Sequence, residues 1–139
     1  MVSFDTNGVK MPDIDNAKIF RWIEEVATLY DRRVGNLAYC FCNDDAILET
    51  NRQFLDHDYF TDIITFDYSY GDRIEGDILI SLDTVRSNAE ELNLDYNEEL
   101  LRVIIHGVLH LCGLKDKSPE ERKAMESAEN EALSLYKAI

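Results

Sequence analysis

Apolar positions along this 139-residue chain switch between two periods. Val2–Asp5 is a short β-like run. From Pro12 and Asp13, the residues Ile19, Phe20, Ile23, Val26, Ala27 and Tyr30 recur at three-four spacing, which predicts a helix opened by that Pro-Asp pair. Leu37–Cys42 is continuous, aromatic and short, and predicts a strand buried on both faces. Asp44–Leu55 returns to helical spacing with Ile47, Leu48 and Phe54 inward. Thr61–Tyr68 and Glu75–Ser81 are β-rich runs joined by Tyr70-Gly71-Asp72-Arg73, the pattern of a hairpin or of adjacent strands. Leu82, Val85, Ala89 and Leu92 then mark one face of an amphipathic helix.

Asn97–Cys112 is apolar nearly all round, so this helix is expected at the centre of its domain. Gly113 is placed to end it in a left-handed cap. Ser118-Pro119-Glu120-Glu121 offers an N-cap serine, a first-turn proline and a capping-box glutamate. They open a last helix to about Lys137, with Met125, Ala128, Ala132 and Leu135 inward. The mixture predicts one α+β domain over residues 1–139: a small mixed four-stranded sheet packed with about five helices, the Asn97–Cys112 helix buried among them.

Charge changes the picture of partners. The chain carries 14 basic and 28 acidic residues, a net charge of −14. Such a surface disfavours generic binding to phosphate backbones. Arg102, Lys115, Lys117, Arg122 and Lys123 do cluster in sequence, and read first as solvated helix ends partnering acids such as Glu126. Three cysteines argue against a disulfide framework, and Cys40 and Cys42 read as small buried residues. No apolar run reaches membrane-span length, and Met1-Val2-Ser3-Phe4-Asp5 lacks the features of a secretory signal. The expected compartment is the cytoplasm.

The central helix carries the candidate chemistry. It holds His106-Gly107-Val108-Leu109-His110, followed by Leu111-Cys112-Gly113-Leu114-Lys115-Asp116. Two histidines four residues apart project from one helical face, the arrangement by which one helix offers two imidazoles to one ion. A helix this apolar gives buried imidazoles few other partners. Gly113 lets the chain reverse, so Asp116 can return to the same point as a third ligand. The spacing is similar to the extended motif of zinc proteases, but Gly107 stands where those have a general-base glutamate, and Asp116 where they have a third histidine. Ordinary proteolysis is thereby disfavoured.

The whole string resembles the YbeY family of bacterial metal-dependent endoribonucleases, also called rRNA maturation factors. Their hallmark is H-G-x-L-H-L-x-G-aromatic-D-H. His106 through Gly113 match it at every fixed position. Thr61-Asp62-Ile63-Ile64-Thr65-Phe66 is similar to the family's T-D-V-L-S-F strand, and Gly76-Asp77-Ile78 to its G-D-I strand. The resemblance spans about residues 37–135. There are two departures. Asp116 replaces the third histidine, a change that keeps a competent zinc ligand and favours harder ions. Leu55 replaces an arginine suited to phosphate, which would move that contact to Arg52, Lys115 or Lys117.

The resemblance implies a single-strand endoribonuclease using a metal-activated water, with ribosomal RNA or the ribosome as partner and a role in rRNA maturation and ribosome quality control. His106, His110 and Asp116 would hold one ion per chain, Zn2+ foremost, with another divalent metal possible. Asp62 or Asp77 would assist the proton transfer, although Asp62 reads first as an aspartate that caps or pins a strand end. His57, Lys115 and Lys117 would face the substrate. Two other readings stay open: a zincin-like hydrolase of a peptide or small molecule, and a non-catalytic ribosome-associated protein with a structural metal. The structural reading requires a fourth protein ligand, for which Cys112 is the nearest candidate. The RNA reading requires a positive groove leading to the site.

Overall fold

The computed structural model of the chain describes residues 1–54 and 61–139, so His57 and Leu55 lie outside the described residues. The element order is β1 (Val2–Thr6), α1 (Asn16–Leu29), β2 (Arg33–Cys42), α2 (Asp44–Phe54), β3 (Ile63–Asp67), β4 (Arg73–Ser81), α3 (Leu82–Leu92), α4 (Tyr96–Leu111) and α5 (Pro119–Ala138). The strands form one mixed sheet in the order β1-β2-β4-β3, as the α+β expectation required. β1 and β4 each run parallel to β2, and β3 pairs antiparallel with β4. The expected hairpin is therefore β3–β4, closed by the Tyr70–Arg73 bridge with Gly71 at φ 58°.

Register divides the sheet into two unlike faces. Leu37, Tyr39 and Phe41 of β2 lie opposite Gly76, Ile78 and Ile80 of β4, and all are buried. The other face carries Ala38, Cys40, Asp77 and Leu79, and among the described elements α2 covers part of it. β2 is thus closed on one face and half-open on the other, unlike the double burial its apolar run predicts. Cys40 is half-buried there, while Cys42 is buried.

On the closed face, α4 packs against α1, α3, α5, β3 and β4, the central position its all-round apolarity predicts. Gly107 permits this approach: a Cβ there would sit 3.1 Å from Cδ1 of Ile78 and 3.2 Å from Cδ1 of Ile63. Trp22 of α1, absent from the three-four stripe read in the sequence, is fully buried and donates from Nε1 to the Ala132 carbonyl at 2.7 Å. Tyr39 donates to the Ile104 carbonyl at 2.9 Å, which ties the sheet to α4.

Three local expectations need correction. α1 starts at Asn16, capped by the side chain of Asp15, because Pro12 and Ile14 form a separate turn first. Phe54, expected inward, is 64% exposed and meets Phe66 edge-on across the half-open face. Leu92, also expected inward, is 61% exposed at the end of α3. Both residues close an amphipathic stripe at a helix end, where the described residues cover the last position only in part.

Candidate metal centre

α4 and the chain reversal after it build the centre. Asp95 caps the start of α4, and Cys112 closes its end, with the Gly113 and Leu114 amides turning back to the His110 and Leu109 carbonyls. Gly113 takes φ 103°, a conformation side chains avoid, so the expected glycine stop is observed. The turn brings Asp116 back over the helix. Its Oδ2 lies 3.3 Å from Nε2 of His106 and 3.3 Å from Nε2 of His110. One ligand atom from each of the three residues falls within 4.8 Å of the others, which is the spacing a single ion can bridge.

The far nitrogens are fixed by the protein. Nδ1 of His110 faces the Leu114 carbonyl at 3.0 Å; a carbonyl only accepts, so this Nδ1 carries the proton and Nε2 keeps its lone pair. Nδ1 of His106 donates to Oε2 of Glu129 at 2.6 Å. Glu129 lies on α5, is buried, and takes a second bond on Oε1 from Nη1 of Arg102 at 3.0 Å. Arg102 in turn donates to Oδ1 of Asn130 at 2.8 Å. This carboxylate–imidazole chain aims Nε2 of His106 and increases its basicity, the supporting arrangement typical of metal-binding histidines. Burial alone would lower the His106 pKa, but the hydrogen bond and charge of Glu129, then Asp116 and Asp62, raise it above its ordinary 6.5.

Two clefts open on this triad. One, of about 450 Å³, runs along β3 between Thr61, Asp62, Thr65 and Asp67. The other, of about 630 Å³, lies between the α3–α4 connection and α5. Asp62 reaches the centre from the start of β3. Burial pushes its carboxyl pKa up, partly countered by the charge of His106. Its backbone carbonyl accepts from the Ser81 amide at 2.9 Å, so the residue both pins a strand end and lines the cavity.

Asp77 is the candidate that the fold separates from the others. It is exposed on the half-open face of the sheet, with β4 between it and α4, because it alternates with the buried Gly76 and Ile78. Gly76 explains that part of the motif: a Cβ there would lie 2.3 Å from the Phe66 carbonyl oxygen. Lys115 and Lys117 are exposed on the reversal that carries Asp116 and line neither cleft. The expected positive groove is reduced to one side: Arg102 and Arg122 line the second cleft, whereas the described residues of the first include acids and no lysine or arginine. Cys112 is buried at the helix cap and outside the ligand cluster, with its thiol pushed up to about 11 by burial.

Known proteins share this sequence and fold. The endoribonuclease YbeY family matches residues 4–137. The chain belongs to the YbeY endoribonuclease family. Relatives named endoribonuclease YbeY are 64% identical in Phocaeicola vulgatus, over 97% of this chain and 98% of that protein, and 59% identical in Bacteroides thetaiotaomicron, over 96% and 98%. A solution structure of a Thermotoga maritima protein superposes with a TM-score of 0.64 at 26% identity, over 99% of this chain and 93% of that one. Within this family member, sequence spacing pointed to the cluster His106, His110 and Asp116, and singled out Arg102 only as one of a run of cations, but gave no sign of Glu129 or Glu99. These sit on other turns or another helix among many acids, and only the packing of α5 on α4 distinguishes them.

Proposed function

We propose that this YbeY family member is a metal-dependent endoribonuclease that cuts single-stranded RNA in ribosomal RNA maturation and ribosome quality control in the cytoplasm. The convergence of two histidine Nε2 atoms on Asp116, with both Nδ1 protons committed elsewhere, carries this reading. Two imidazole nitrogens and one carboxylate oxygen fit a single zinc ion and leave a coordination position open. A bound zinc supplies an acidified water and a Lewis acid for a phosphoryl oxygen.

The chain's own residues do the rest. His106, His110 and Asp116 hold the ion, and Glu129 and the Leu114 carbonyl keep the imidazoles aimed. Asp62, with its raised pKa and its place on the cavity wall, takes the proton released as the RNA is attacked and returns it to the leaving oxygen. Family membership supports RNA over a peptide substrate, as does Gly107. Position 107 faces Ile78 and Ile63, so a protease-type glutamate has neither room nor direction there. The position of Cys112 outside the cluster supports an open site over a closed structural one.

The test joins metal analysis to cleavage of a structured ribosomal RNA. Wild type should purify with or take up one zinc per chain and cut the RNA. Asp116→Ala should lose both. Asp62→Asn should keep the metal while cleavage falls by about 10²–10⁴-fold. Wild type that holds zinc yet leaves every single-stranded segment intact would overturn the reading.

A further inference from the structure

Of the two clefts on the triad, the one toward α5 has features the metal chemistry does not use. It shares His106 and Asp116 with the centre, so whatever lies in it adjoins the reacting phosphate. Part of its wall is apolar: Leu92 and Leu94 are 61% and 42% exposed and the buried Met125 lies behind them on α5, while Glu126 and Glu129 share the lining. Leu92 and Leu94 together offer an apolar face that a planar base can cover. Arg122 stands exposed at the rim, with Nη1 donating to the Lys117 carbonyl at 3.0 Å. Arg102 is committed to Glu129 and Asn130 inside.

Glu99 completes the groove. It is 5% exposed and lines both this cleft and the inner cavity of about 300 Å³ behind it. Its Oε1 is the one buried side-chain polar atom without a hydrogen bond among the described residues. Nε of Arg102, at 4.0 Å, is too far to donate. Burial, with Asp62 and Glu129 adding to it, pushes the Glu99 carboxyl pKa up against the pull of Arg102. An acceptor left this way costs free energy that an incoming N–H donor would recover once the Glu99 side chain turns toward the groove.

We propose that this groove is a nucleotide subsite beside the scissile phosphate, in which a guanine base lies between Leu92, Leu94 and Met125 and donates from its edge to Glu99, while Arg122 holds the adjoining phosphate. The proposal rests on the endoribonuclease reading for its RNA context. Single-stranded bases are recognised by packing of their faces and hydrogen bonds to their edges. Guanine presents two neighbouring N–H donors, N1–H and N2–H, which suit a carboxylate. Uracil sets its single N–H between two carbonyl oxygens that a carboxylate repels. The proposal places a specificity-determining residue on α4 two turns before His106, outside the metal motif.

The experiment titrates guanosine 5′-monophosphate and uridine 5′-monophosphate into the zinc-loaded protein, followed by methyl and amide NMR. It also measures cleavage of single-stranded RNAs that differ only at the base flanking the cut. The expected result is about tenfold tighter binding of the guanine nucleotide, as a two-point base contact provides, with shifts at Leu92, Leu94 and Met125. Glu99→Gln, checked for retained zinc and melting temperature, should bring the guanine-to-uridine ratio close to one. Arg122→Gln should weaken both nucleotides alike and keep the ratio. Equal binding by wild type, a ratio that survives Glu99→Gln, or shifts confined to the β3 cleft overturns the proposal. RNA cleavage without any guanine preference sinks the subsite and leaves the function standing. A guanine preference in a protein that cuts no RNA does the reverse.

Discussion

Glu129 determines how His106 is used. Its Oε2 is 2.6 Å from Nδ1, and Arg102 holds its other oxygen, so the carboxylate cannot rotate away. Glu129→Gln keeps the shape but removes the charge that favours a basic Nε2. Zinc affinity should fall by about 10–100-fold, read by competition with a chelating dye, with little change in the circular dichroism spectrum. The same network sets a pH dependence in the metal-free protein. The folded His106 pKa lies above the ordinary 6.5, so the folded state holds its proton more tightly. That stabilisation is complete below pH 6.5 and disappears as the pH rises through the folded value. Denaturant titrations of the metal-free chain should lose stability over that window, and His106→Gln should flatten the slope. In the sequence, the histidines were legible because their four-residue spacing reports on a single helix. Glu129 was not, since nothing in its local pattern separates it from Glu126 or Glu131, which face solvent.

Elements were legible where the apolar period continued through them, and less so at their ends. The hairpin, the capping box of α5 and the glycine stop of α4 appear as their turn residues indicate. The start of α1 was misplaced because Pro12 is as good a helix opener as Asp15 until the intervening Pro12–Ile14 turn is known. Asp77 was misplaced for a different reason. A motif shared with a family marks both chemistry and packing, and sequence alone does not sort them. Here Gly76 is the packing half, since β3 passes so close that any side chain would strike the Phe66 carbonyl. Gly76→Ala should destabilise the protein by at least about 2 kcal/mol, as overpacking against a backbone does, measured by urea unfolding. Asp77→Asn, exposed on the far face, should change neither stability nor zinc content measurably.

For the molecule as a whole, the net charge of −14 gives no welcome to RNA, and the clefts add Asp62, Asp67, Asp116 and Glu126 to that field. A divalent ion held there would therefore do electrostatic work as well as chemistry, and the groove with Arg122 is the less hostile approach. The centre draws on the start of β3, on α4, on the turn after it and, through Glu129, on α5, which ends the chain. Those pieces are far apart in sequence and touch only in the folded state. Ion binding would then be linked to the packing of the C-terminal helix, because both involve His106. At 100-fold excess over its dissociation constant an ion adds about 2.7 kcal/mol to the folded state. The amides around Met125 to Leu133 should feel that gain first. Chelation should quicken their hydrogen exchange while the amides of α1 near Ile19 to Ile23 keep their protection, so the last helix becomes a gauge of whether the enzyme is loaded.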